Sequence, residues 1–108
     1  MTDIETQVDE TTALLIRARG FIERGWCRCQ QAVDANGSST SPTSEDAVAW
    51  CASGALIAAG ASSVFDPAVQ LLHAAIGKTI WIFNDDQETV EPILVAFDRA
   101  IAGQRAES

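Results

Sequence analysis

The run Ala47-Val48-Ala49-Trp50-Cys51-Ala52-Ser53-Gly54-Ala55-Leu56-Ile57-Ala58-Ala59 lies in a span, from Asp46 to Asp66, with no charged side chain between its ends. How that run is read decides the fold. Thr43 or Ser44 can cap a helix here, and Glu45 with Asp46 places negative charge in its first turn, next to exposed amides. The run therefore reads as a helix from about Ser44 to Ala59, apolar or small nearly all round, which other elements must surround. Small residues at Ala47, Cys51, Gly54, Ala55 and Ala58 would let a neighbouring helix come close. The span is long enough to raise a membrane helix. However, it is broken by Gly54 and Gly60, carries Ser53, Ser62 and Ser63, and lacks basic clusters on its flanks, so a buried hub helix is expected instead.

Upstream, Leu14, Leu15, Ala18, Phe21 and Ile22 fall on one helical stripe between about Thr11 and Arg24, and Gly25 stops it. Arg17, Arg19, Arg24 and Arg28 sit on or just past that helix, where cations complement its dipole. Trp26 to Asp34 reads as a short strand, Asp34-Ala35-Asn36-Gly37 as a turn, and Ser38 to Thr43 as an exposed loop. Downstream, Asp66-Pro67 is a cap and first-position proline, Leu71, Leu72, Ala75 and Ile76 form a stripe, and Gly77 ends a third helix. Thr79 to Phe83 is β-branched and aromatic, so it reads as a strand or an extended buried connector, able to pair with Trp26 to Asp34. Thr89 can cap a last helix with Pro92 in its first turn, the stripe Ile93, Leu94, Phe97, Ala100 and Ile101, and Gly103 at its close. The expected fold is mainly α: a compact four-helix domain with room for a small two-stranded β element.

At 108 residues the chain is expected to be a single domain, residues 1–108, with flexible termini at about 1–10 and 104–108. Seven basic against fifteen acidic side chains give a formal charge of −8, which works against direct nucleic-acid or anionic-membrane binding. The acidic, polar start Met1-Thr2-Asp3-Ile4-Glu5 is unlike a secretory signal, so a cytoplasmic location is expected. Cys27, Cys29 and Cys51 are an odd number and imply no disulfide framework.

Cys27, Cys29 and Cys51 with His73 would offer four zinc ligands. The single residue between the first two is poor spacing for folding both sulfurs onto one ion, and buried thiols are the simpler reading. No metal or cofactor is expected. His73 is the only base available to a cysteine nucleophile, and no phosphate loop, paired-histidine helix or nucleophile elbow is present, so no catalytic residue is assigned. The expected partner-binding residues are Trp26, Trp50 and Trp81, where three indoles could line a pocket, and the acidic group Asn84, Asp85, Asp86 and Glu88. Asn84 or a nearby backbone carbonyl is a candidate acceptor for the Trp81 indole. The plainer account makes the indoles core anchors and the acids the start of the last helix.

Gly25-Trp26-Cys27, Asp34 and Gly37, Ala47 to Leu56, Asn84-Asp85 and Phe97-Asp98-Arg99-Ala100-Ile101, in that order, resemble a family of small bacterial and phage proteins with no established activity. Phe83 stands where that family has tryptophan, and Cys29 lies outside its pattern. No catalytic role follows from the resemblance. The expected function is a non-catalytic protein-interaction module whose acidic faces meet a protein partner with a basic surface, and the phage association that the resemblance implies makes an anti-CRISPR or other inhibitor of host defence its most concrete version. The alternatives are a small-ligand or nucleotide-binding module with a Trp-lined pocket and, as a minor one, a thiol or metal-dependent enzyme. A homo-oligomer is left open.

Overall fold

The computed structural model describes residues 3–107, with side chains described for residues 10–103. In chain order the elements are α1 (Asp3–Arg24), β1 (Ala32–Val33), β2 (Ala49–Trp50), α2 (Ala52–Ala59), α3 (Pro67–Ile76), α4 (Ile80–Asp86) and α5 (Glu91–Glu107). The protein is therefore mainly helical, as expected, with a two-stranded antiparallel sheet, but the described residues form five helices rather than four. α1 packs against α2, α5 and α3, and α5 also packs against α3. Leu15, Ala18, Ile22, Ala55, Leu56, Leu72, Ile93 and Phe97 fill the space between them. The helical stripes of the sequence are the faces that meet there.

The uncharged run departs most from expectation. Its first half is extended, and the helix starts only at Ala52. Cys51 is the N-cap and its sulfur accepts from the Gly54 amide at 3.3 Å. The expected caps make turns instead: Ser41 Oγ accepts from the Thr43 amide, and Ser44 Oγ accepts from the Asp46 amide. Tertiary hydrogen bonds account for the difference. The Trp50 amide donates to the Gly25 carbonyl and the Cys27 amide donates to the Trp50 carbonyl, while the Val48 and Cys51 amides donate to Val33 and Gln31. A Cβ on Gly25 would lie 2.1 Å from the Val48 oxygen, so only glycine permits this approach. Residues 48–51 thus have backbone partners on both sides, which satisfies the amides and carbonyls of an extended segment that runs from exposed Val48 into the core at Trp50 and Cys51. Ala32 pairs with Trp50 and Val33 with Ala49. The partner of the Trp26–Asp34 segment is this run and not residues 79–83.

Residues 80–86 form a helix. Ile80 and Asn84 are buried, and Phe83 and Gln87 are partly buried, on the i, i+3, i+4, i+7 spacing of one helical face, whereas Trp81 and Ile82 are exposed. The β-branched and aromatic lettering that suggested a strand is overridden by this face.

The third helix follows the sequence closely: Asp66 Oδ1 accepts from the Ala68 amide at 2.9 Å, Pro67 occupies the first turn, and Gly77 closes it in the left-handed region. The last helix receives its first amides, from Ile93 and Leu94, on the Val90 carbonyl rather than starting from Thr89, and it passes through Gly103. Residues 3–10 continue α1 and residues 104–107 continue α5; Met1, Thr2 and Ser108 lie outside the described residues.

The arginines tie elements together. Arg17 donates twice to the Ala59 carbonyl at the end of α2, Arg19 pairs with Asp98 of α5 and with Glu23, and the Arg24 guanidinium lies 4.5 Å from the Phe21 ring centre.

Candidate functional site

A loop from Gly25 to Gln31 is fastened to α4 by one side chain. Asn84 is fully buried, and its Oδ1 accepts from the Trp26 indole at 2.8 Å and from the Ala52 amide at 3.0 Å. Its Nδ2 donates to the Cys27 carbonyl and to Asp85 Oδ1, both at 3.1 Å. Asn84 therefore uses both lone pairs and both protons of its amide, as a buried polar group must to offset its desolvation. Asp85 Oδ1 also accepts from the Cys29 amide at 2.8 Å, holding Cys29 at a φ of 70°, and Arg28 donates to the Gln87 carbonyl at 2.7 Å. The end of α4, the start of α2 and the loop are thus one polar knot.

Of the three thiols on this knot, Cys29 is exposed, whereas Cys27 and Cys51 are chemically quiet. Burial pushes Cys27 up to about 11, with Cys51, Asp85 and Cys29 adding to the rise. Burial also raises Cys51, against the lowering effect of the Gly54 amide. Both are protonated near neutral pH and are weak nucleophiles and ligands in that form. His73 is exposed on α3 and lines neither cavity that borders the cysteines and Trp81. Among the described residues no three His, Cys, Asp or Glu side chains are grouped to hold a metal ion.

Above the knot stands Trp81, 57% exposed. On one side is a cleft of about 470 Å³ lined by Leu56, Ile57, Val64, Val69, Ile80 and Trp81, with Gln31, Ser53 and Ser62 at its edges. On the other is a hollow of about 220 Å³ bordered by Cys29, Gln30, Cys51 and Asp85. The two share Gln31, Ser53 and Trp81, so they adjoin, and together they form a depression with the indole on their common border. Beside it, Val64 is 66% and Phe65 81% exposed, on a loop held by Gln70 and by Ser63.

The match to a family model falls on this whole arrangement. Residues 6–103 match the model of DUF6197, a family of unknown function, and those residues include every side chain that lines the depression. The chain belongs to the DUF6197 family. Neither a curated protein nor a solved structure matches it.

In this DUF6197 chain the three tryptophans do not converge. Trp26 is half-buried in the Asn84 knot, and Trp50 is buried against Phe21 with its indole donating to the Pro42 carbonyl at 2.9 Å. Trp81 alone faces the cleft, and Asn84 serves the Trp26 indole instead of Trp81. Asp85 reaches the hollow, while Asp86 and Glu88 are exposed beyond it. Asn84, Asp85 and Asp86 close α4 rather than open α5, so capping of a helix start does not explain them. Sequence reasoning missed Ile57, Val64 and Phe65. Their signal is Val64-Phe65, two large apolar residues in a Ser-containing connection that belongs to no helical stripe.

No helix among the described residues is long and apolar enough to cross a membrane.

Proposed function

We propose that this protein is a non-catalytic protein-interaction module that takes a segment of a partner protein into the depression around Trp81. The observation carrying this reading is the set Trp81, Val64 and Ile57, all exposed and large, that lines one cleft beside the hydrogen-bonded Asn84 knot, with exposed Phe65 next to Val64 in the chain. Contiguous exposed apolar surface of this kind is characteristic of binding sites, and tryptophan is a frequent anchor of interface energy. The quiet Cys27 and Cys51 and a solvent-facing lone histidine support binding rather than catalysis. The net charge of −8, with Asp86 and Glu88 exposed beside α4, favours a protein partner with a basic surface over nucleic acid or an anionic membrane. The concrete form suggested by the resemblance is a phage-associated inhibitor of host defence, anti-CRISPR proteins included, acting by occupying such a surface.

The test compares proteins captured by the wild-type chain with those captured by Trp81→Glu, at low and high salt. The expected result is a partner retained by the wild type, weakened by salt and lost in the variant. Capture that is unchanged by the substitution sinks the reading. A small-ligand module is the second reading, favoured by the cleft's volume, which is within the range of small-molecule sites. A thermal-shift screen of metabolites and nucleotides decides it, because a tight ligand raises the Tm by mass action.

A further inference from the structure

We infer that the partner segment carries an arginine or lysine that crosses the Trp81 indole to reach the Asp85 carboxylate, while a neighbouring apolar side chain of the segment fills the cleft between Ile57, Val64 and Val69. This rests on the protein-binding reading above and adds the chemistry of the occupant. Among the described residues, Asp85 is the one charged side chain lining either half of the depression, and no cation lines it. Asp85 Oδ1 is occupied by the Cys29 amide and Asn84 Nδ2, whereas Oδ2 has no hydrogen-bond partner and the carboxylate no salt bridge among the described residues. Arg28, the cation nearest in sequence to this loop's contact with Asp85, is turned to the Gln87 carbonyl.

Gln30 lines the same hollow without adding charge to it, so Asp85 is its charged acceptor. The exposed Trp81 ring between the two halves is a surface on which a guanidinium or ammonium group is attracted. A second copy of this chain, with fifteen acidic and seven basic side chains, would bring net repulsion; a basic segment brings attraction.

The test selects peptides from a randomised display library on the immobilised full chain. Binding of the enriched peptides to the wild type, Asp85→Asn and Trp81→Ala is then measured by titration calorimetry. Asparagine keeps the Oδ1 acceptor used by Cys29 and Asn84, and the Tm of each variant checks the fold. The expected consensus is an apolar residue beside Arg or Lys, and replacing that Arg by citrulline weakens binding to the wild type about fivefold, the scale of a partly solvated ion pair. On Asp85→Asn the same replacement has no effect. Should that variant fail to fold, the citrulline peptide on the wild type, together with the loss of the difference at high salt, decides the matter. Peptides that need Trp81 but show no preference for a cation overturn this inference and leave the binding reading standing. Peptides indifferent to Trp81, or no enrichment at all, overturn both.

Discussion

Replacing Asn84 by alanine removes four hydrogen bonds from a fully buried side chain, and their different surroundings set the cost. The Ala52 amide is buried at the start of α2; orphaning it costs roughly 1–3 kcal/mol, whereas each bond that water can partly replace, at Trp26 and Cys27, costs roughly 0.5–1.5 kcal/mol. These three come to roughly 2–6 kcal/mol, centred on ~4, a large fraction of the ~5–15 kcal/mol that holds a domain folded. At about 4–8 °C per kcal/mol for a domain near this size, the central value lowers the Tm by roughly 15–30 °C. Urea unfolding followed by tryptophan fluorescence and by circular dichroism measures the loss. Asp86→Ala, exposed on the same helix, serves as control and should change stability by no more than ~0.5 kcal/mol. A loss below about 1 kcal/mol for Asn84→Ala would refute the view that this amide fastens the loop to α4 and α2.

Gly54→Ala places a Cβ 1.9 Å from the Gln31 carbonyl oxygen, a backbone atom that cannot swing away, and should destabilise by about 1–3 kcal/mol despite alanine's better helix propensity. Gly103→Ala, with no atom within 4 Å of the new methyl group, should stabilise by roughly 0.5–1 kcal/mol, and denaturant midpoints for the pair give opposite signs if the close approach is real. The thiols make stability pH-dependent. Cys27 is raised from its ordinary 9.0 to about 11, so its contribution is complete below about pH 9 and is lost as pH rises towards 11, where the unfolded thiol is ionised and the folded one is not. Cys51 acts in the same direction. Under reducing conditions the unfolding free energy should decline across that window in the wild type and less in Cys27→Ala; a flat profile contradicts the assignment. Alkylation mapped by mass spectrometry should modify exposed Cys29 before buried Cys51.

The parts of the fold legible in the sequence are those with a local cause. Asp66-Pro67 and Gly77 bracket α3 because a cap, a fixed φ and a left-handed closing residue act within a few residues of one another. The stripes Leu14-Leu15-Ala18-Ile22 and Ile93-Phe97-Ala100-Ile101 mark buried helix faces because their period equals the helical turn. α4 was hidden because one of its buried positions is Asn84, so its inward face reads Ile80-Phe83-Asn84 and looks half polar. The candidate site was legible at Trp81 and Asp85, and illegible at Ile57, Val64 and Val69, which come together only when α2, α3 and their connection meet α4.

By itself, then, the sequence determined that the middle of the Asp46–Asp66 span, Trp50 to Leu56, enters the core, that α1, α3 and α5 are helices, and that the chain is strongly acidic, since solvation, turn geometry and charge are set by residue type and near neighbours; Val48, Ile57, Val64 and Phe65 of the same uncharged span are exposed, against the expectation of an interior rod. Only the tertiary structure decided that Val48 to Cys51 runs extended, because its amides and carbonyls find partners at Gly25, Cys27, Gln31 and Val33, far away in the chain. It likewise decided which indole stays outside. Trp26 and Trp50 have buried acceptors at Asn84 and Pro42, and Trp81, on the outer face of a short helix, is left to water or to a partner.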